Sequence, residues 1–253
     1  MKIAVMTGAS SGMGREFVLR LAEAQHFDEI WVIARRAERL AELSALLPQV
    51  RVRPIPLDLT LPESFDTYRA LLEAEKPNVA VLVNASGFGK FGTFEAMDLG
   101  QMLNMIDLND KAYVAMTHIT LPYMKTGGQI YQLDSLSALQ PVPYITVYGA
   151  TKSFVLSFSR ALNVELKARG IRCMAVCPGW VRTEFFDRAV SDDTIIYYNR
   201  FFTPEQVVAR ALRDMKKGKD VSVCGASIRA QVLLTKLLPH RLVMKIWCRQ
   251  QKK

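Results

Sequence analysis

Residues 2–14 read Lys2-Ile3-Ala4-Val5-Met6-Thr7-Gly8-Ala9-Ser10-Ser11-Gly12-Met13-Gly14 and run straight into Arg15-Glu16-Phe17-Val18-Leu19-Arg20-Leu21. A short apolar run, a glycine-rich turn and then a helical apolar period make one strand–turn–helix unit. Glycines at 8, 12 and 14 let the backbone turn tightly and approach a diphosphate, which the N-terminus of the next helix stabilises electrostatically. The spacing is Gly-x-x-x-Gly-x-Gly, not the commoner Gly-x-Gly-x-x-Gly, and a glycine turn by itself also occurs at ordinary strand–helix junctions.

Outward from that unit, strand-like runs alternate with helical patterns. The strands are expected at Lys2–Thr7, Glu29–Ala34, Arg51–Pro56, Val79–Asn84, Gln129–Asp134, Arg172–Val176 and Asp220–Val223. Helices are expected at Gly12–Ala24, Arg36–Leu47, Pro62–Glu75, Gln101–Met124, Tyr148–Arg169 and Glu205–Lys217. Several strands are almost wholly apolar, as parallel strands covered on both faces must be. The alternation predicts an α/β fold, a doubly wound Rossmann-type parallel sheet with helices on both faces, binding its ligand at the carboxyl ends of the strands. One domain is expected over 1–225. Residues 185–203 fit the alternation poorly and read as a substrate lid. Residues 226–253 read as a basic helical extension in which Pro239 separates two short helices.

The chain has 253 residues, half of them hydrophobic, which excludes disorder and allows a large core. Its four cysteines form no Cys-x-x-Cys pair and its three histidines are scattered, so neither a metal site nor a disulfide framework is expected. Reduced thiols, a first strand next to Met1 and the lack of an 18-residue apolar run predict a cytoplasmic protein. The net charge of +9 suggests nucleic acid only until it is located. Residues 205–253 hold twelve Lys/Arg against three Asp/Glu, and the rest of the chain balances. No nucleic-acid partner is expected, because that segment carries no recognised binding motif. On its last helix Leu242, Val243, Ile246 and Trp247 share one side, with Arg241, Lys245 and Arg249 on another. Packing on the core or on a partner subunit is one reading, and peripheral contact with a membrane is the other.

The second strand ends Ala34-Arg35-Arg36. An acid there would bind the ribose 2′-hydroxyl of NAD, but this chain offers two guanidinium groups suited to the 2′-phosphate of NADP. Arg35 is the stronger candidate, and solvation of both arginines is the alternative. Farther on, Tyr148 and Lys152 stand four apart on one helix face, with Ser135 thirteen residues before the tyrosine. A lysine ammonium about 4 Å from a phenol lowers its pKa by enough to make it a proton donor near neutrality. Ser137 is a weaker substitute for Ser135, and Asp134 reads as structural.

Taken together, these motifs resemble the classical short-chain dehydrogenase/reductase family from Lys2 to about Glu184. Val83-Asn84-Ala85-Ser86-Gly87 resembles the family's Asn-Asn-Ala-Gly strand end, with Ala85 and Ser86 replacing its middle residues. Leu57-Asp58-Leu59 resembles the strand end that contacts adenine. Asn109 matches the asparagine that holds a relay water beside the lysine. Pro178-Gly179-Trp180-Val181-Arg182-Thr183 resembles the loop that grips the nicotinamide end.

The resemblance implies catalytic roles for Asn109, Ser135, Tyr148 and Lys152. It implies cofactor contacts from Gly8, Ser10, Ser11, Gly12, Met13, Gly14, Arg35, Arg36, Asp58, Leu59, Asn84, Ala85, Ser86, Tyr148, Lys152, Pro178, Gly179, Val181 and Thr183. The implied reaction interconverts a ketone and a secondary alcohol by hydride transfer, with NADP(H) preferred over NAD(H). The aromatic flap (Phe185, Phe186, Tyr197, Tyr198, Phe201, Phe202) either packs on the core or lines a cleft for a lipophilic small molecule, such as a hydroxysteroid or fatty-acyl compound. A homodimer or homotetramer is also implied, through the helices Gln101–Met124 and Tyr148–Arg169. The competing reading is a catalytically silent NADP(H)-sensing protein of the same fold.

Overall fold

The computed structural model describes residues 1–190 and 192–253. Its first half alternates strictly: β1 (Lys2–Thr7), α1 (Gly12–Ala24), β2 (Glu29–Ala34), α2 (Ala37–Leu46), β3 (Arg51–Pro56), α3 (Pro62–Glu75) and β4 (Asn78–Asn84). The chain continues through α4 (Leu99–Ile106), α5 (Ala112–Thr120), β5 (Gln129–Leu133), α6 (Thr146–Glu165) and β6 (Arg172–Val176). Next come β7 (Trp180–Val181), α7 (Phe185–Ala189), β8 (Phe201–Phe202), α8 (Pro204–Lys216) and β9 (Val221–Ser222). Two helices, α9 (Ala226–Leu237) and α10 (His240–Gln250), close the chain on either side of Pro239.

Seven parallel strands form one sheet in the order β3-β2-β1-β4-β5-β6-β9. Strand alternation divides the core into two layers. Ala4, Met6, Val32, Val81 and Val83 face α1, α2 and α8 through Phe17, Leu21, Leu40 and Val208. Ile3, Val5, Trp31, Ile33 and Leu82 face α3 and α5 through Phe65, Tyr68, Leu72 and Met116. All six residues of β2 are buried; even Glu29 is, and it pairs with Arg51 at 2.9 Å and accepts the Trp31 indole N–H at 2.9 Å. After β3 the chain crosses to the other side of β1, which opens a crevice at the carboxyl ends of β1 and β4. Thr7 holds that crevice together, its Oγ1 accepting the Ala85 and Ser86 N–H groups at 3.0 and 3.1 Å.

Two expectations need correction. The helix expected over Gln101–Met124 breaks at a π turn, Asp107–Lys111, centred on Asn109. Asn109 turns inward to bond the Phe88 backbone, and the ladder accommodates an extra residue there. The last strand shrinks to Val221–Ser222, since β9 pairs with β6 over two residues only. The segment expected as a lid contains α7 and β8, and β8 pairs parallel with β7. Ser191, within that lid, lies outside the described residues.

Candidate active site

A cleft of about 390 Å³ opens over the glycine turn. Gly8 has φ +64°, and a Cβ there would lie 2.5 Å from the Ala85 carbonyl oxygen, so both conformation and space demand glycine. Ser11 caps α1 without a side-chain hydrogen bond, and the first turn of that helix carries no acid. Its N–H groups and positive dipole end are therefore available to an anion.

Gly8, Ser10, Ser11, Gly12, Met13, Gly14, Arg35, Arg36, Asp58, Leu59, Ala85, Ser86 and Thr183 all line this cleft. The two arginines are held differently. Arg36 donates to Ser10 Oγ at 3.1 Å, to Ser11 Oγ at 3.0 Å and to Glu184 at 2.8 Å. Arg35 faces Asp58 at 3.6 Å. Burial opposes ionisation of Asp58, but hydrogen bonds from Thr60 and the Arg35 charge outweigh it and hold the carboxyl below its usual value. The bond from Arg36 does the same for Glu184.

Behind the cleft, the apolar walls of Val142, Ile145, Trp180, Phe186, Ile246 and Trp247 enclose a cavity of about 450 Å³. Ser135 and Tyr148 line one part of it, with Pro178, Gly179, Val181 and Thr183. Ser135 lies two residues past the end of β5 and accepts the Ser137 N–H at 3.2 Å. Met13, Thr183 and Phe185 line cleft and cavity alike, so the two adjoin at the Tyr148 side chain, whose ring lies 5.5 Å from that of Phe185.

The electrostatics differ from the sequence expectation. Burial pushes the Tyr148 phenol well above its ordinary value, and the hydrogen bond with Ser135 pulls it partly back. Lys152 is buried, and burial lowers its pKa, with Asp134 and Asp110 opposing. Its ammonium donates to the Leu133 carbonyl at 2.8 Å and lies 5.8 Å from the Tyr148 ring centroid. Burial, not lysine, dominates the phenol here.

Three implied site residues line neither the cleft nor the cavity. The Asn84 amide donates to Thr117 Oγ1 at 3.0 Å and Gln132 Oε1 at 2.9 Å, so it braces the end of β4 from inside. Lys152 stands beneath the cleft wall. Asn109 accepts the Phe88 N–H at 3.1 Å and donates to Phe88 O at 2.9 Å and Thr151 Oγ1 at 3.1 Å. Both its amide hydrogens are engaged by protein, so the side chain ties the segment after β4 to α6.

Other features had no readable signal. Arg188 lines the cleft with its guanidinium 4.6 Å from the Phe88 ring centroid, and Glu184 reaches Arg36 across 148 positions. The two C-terminal helices form a wall of the cavity: Trp247 Nε1 donates to Pro143 O at 3.0 Å, and Gln251 Oε1 accepts the N–H groups of Ile196 and Tyr197. Their amphipathic pattern signalled burial without saying against what.

A family model described as short chain dehydrogenase matches residues 2–194. Sulfoacetaldehyde reductase 2 of Chromohalobacter salexigens is 35% identical over 201 residues, covering 75% of this chain and 79% of that one. The very-long-chain 3-oxoacyl-CoA reductase of Bos taurus is 31% identical over 190 residues, 72% of this chain and 60% of that one. A short-chain dehydrogenase from Sphingobium yanoikuyae, solved in complex with NADPH, superposes with a TM-score of 0.80 at 29% identity over 92% of both chains. The match runs from β1 through the Tyr148–Lys152 helix into the flap, and the chain belongs to the short-chain dehydrogenase family of oxidoreductases.

Proposed function

We propose that the protein is an NADP(H)-dependent reductase interconverting a lipophilic ketone and its secondary alcohol. One observation carries this reading: Ser135 and Tyr148 sit in an apolar cavity that adjoins an arginine-lined cleft over the first helix N-terminus. The donor set of that cleft suits a nicotinamide dinucleotide, with unspent N–H groups for the diphosphate and Arg35, Arg36 and Arg188 for an extra phosphate. When bound, the dinucleotide supplies the hydride. Ser135 donates a hydrogen bond to the substrate oxygen and steadies its developing charge. Tyr148, kept protonated by burial, delivers the proton to that oxygen. Lys152 and Asn109 position: one is anchored on Leu133 O, the other joins Phe88 to Thr151.

The apolar cavity supports a bulky substrate, and the name of the bovine relative points the same way, while the NADPH bound in the Sphingobium yanoikuyae structure supports the choice of dinucleotide. A homo-oligomer is part of the proposal. The surface of α4, α5 and α6 exposes Leu99, Leu103, Ile106, Val114, Phe154 and Val164, an apolar set that a second copy would cover. So is a reducing, cytoplasmic-type compartment, where Cys177 keeps the thiol hydrogen it donates to Asp134. The test follows NADPH and NADH oxidation against hydroxysteroid ketones, 3-oxoacyl thioesters and short ketones. Turnover of bulky ketones with NADPH is expected. Dinucleotide binding without turnover, indifferent to Tyr148→Phe, would instead identify a sensor.

A further inference from the structure

The α9–α10 pair divides its apolar residues between two environments. Ile228, Val243 and Trp247 turn into the protein. Leu233, Leu234 and Leu237 on α9 are 62%, 55% and 75% exposed, and Leu242 and Ile246 on α10 are 43% and 44% exposed. Leucines this exposed, on two helices that line the same cavity, require a reason. Leu234 and Ile246 belong to both environments, because they also line the cavity. The exposed apolar residues of both helices therefore reach the cavity mouth.

The charge carried by this segment itself has one sign. From residue 226 to the end the chain carries seven Lys/Arg, including Lys236, Arg241, Lys245 and Arg249, and no Asp or Glu. Among the described residues no helix is long and apolar enough to cross a membrane. We propose that the α9–α10 face docks on an anionic lipid bilayer, Leu233, Leu237 and Leu242 entering the acyl boundary while the basic residues meet the headgroups, so that the cavity opens toward the lipid. Each basic residue near such a surface strengthens binding about fivefold, and apolar burial adds to it. A second copy of the chain is the poorer occupant, since two such faces would oppose cation to cation. The reason for docking rests on the lipophilic substrate proposed above, whereas the contact itself does not.

The experiment floats the full-length protein with vesicles of phosphatidylcholine alone and of phosphatidylcholine with about one-third phosphatidylglycerol. Binding at least tenfold stronger to the anionic vesicles, falling as salt rises, is expected. Leu233→Ser with Leu237→Ser lowers that binding about tenfold, with circular dichroism and reduction of a short soluble ketone unchanged, since neither residue lines the cavity. Lys236→Glu with Lys245→Glu lowers it in the same way and guards against misfolding of the first variant. Equal binding to both vesicle types, no binding to either, or a lipid-free oligomer that the leucine variant dissociates in light scattering overturns the proposal. Vesicle binding without any ketone turnover would sink the substrate reading and leave docking in place.

Discussion

The Cys177 thiol donates to Asp134 Oδ2 at 3.3 Å, beside Ser135 and beneath the cavity. Asp134 is 3% exposed, and its other oxygen has no partner. Burial raises the carboxyl to about 7, with the Lys152 charge pulling the opposite way. The group read as structural from sequence therefore sits next to Ser135, with burial holding its carboxyl well above the usual carboxylate range.

A stability prediction follows from that shift. Folding raises the Asp134 pKa above its unfolded value near 3.8, so the native state holds the proton more tightly. Its contribution to stability is full below the unfolded value and is lost as pH rises through about 7. Asp110, also raised to about 7 by burial, has the same sign. Asp134→Asn should therefore make the fall in Tm between about pH 5 and pH 8 shallower without abolishing it. A slope identical to that of the wild type rejects the assignment.

The catalytic pair is tested by Tyr148→Phe and Ser135→Ala. Loss of the phenolic proton should lower kcat by about 10²–10⁴-fold, and loss of the serine donor by about 10²–10³-fold. Dinucleotide affinity, read by NADPH fluorescence, should stay within a few-fold for both, because neither side chain lines the cleft.

Cofactor choice depends on how tightly each arginine is held. Arg36 is engaged by Ser10, Ser11 and Glu184, whereas among the described residues Arg35 has only Asp58 at 3.6 Å. Arg35→Ala should weaken NADPH by about 10- to 100-fold and NADH little. Glu184→Gln frees Arg36 from its carboxylate and should raise the preference for NADPH over NADH. Titrations of both dinucleotides against each variant measure this, and equal losses for the two cofactors would refute a 2′-phosphate role.

These residues also show where sequence reading stops. Strands β1, β2 and β6 were legible to the residue because burial on both faces makes them continuous apolar runs, and β3 was legible although only Val52 and Ile55 of it are buried. Gly8 was legible because a positive φ and a 2.5 Å approach leave room for nothing else. The π turn at Asn109 was not, since the apolar period continues across it and the cause is a backbone partner at Phe88, 21 positions earlier. Strands β7 and β8 are two residues each and give no period to read. The pairing of Arg36 with Glu184, like the wall made by Trp247, is set by tertiary proximity alone.

Asn109→Ala removes partners from both the N–H and the C=O of Phe88 and from Thr151 in a fully buried place. The cost should be about 2–4 kcal/mol, read by urea denaturation. Because the bonds join the cleft wall to the helix bearing Tyr148, kcat should fall as well, with dinucleotide affinity reduced less. A stable variant of full activity would leave the asparagine without its positioning role.

Trp247 separates substrate size from chemistry. Its ring lines the cavity and its indole N–H holds the Pro143 carbonyl, fixing α10 over the loop that leads into α6. Trp247→Phe loses the hydrogen bond and keeps most of the wall, whereas Trp247→Ala also removes apolar surface that a large substrate would cover. KM for a bulky ketone should rise a few-fold in the first variant and about tenfold or more in the second, since a large buried side chain contributes more than about 1.4 kcal/mol. A short ketone that does not reach α10 should show nearly unchanged kcat/KM in both. Equal losses for long and short ketones would mean that the tryptophan supports the fold without touching the substrate.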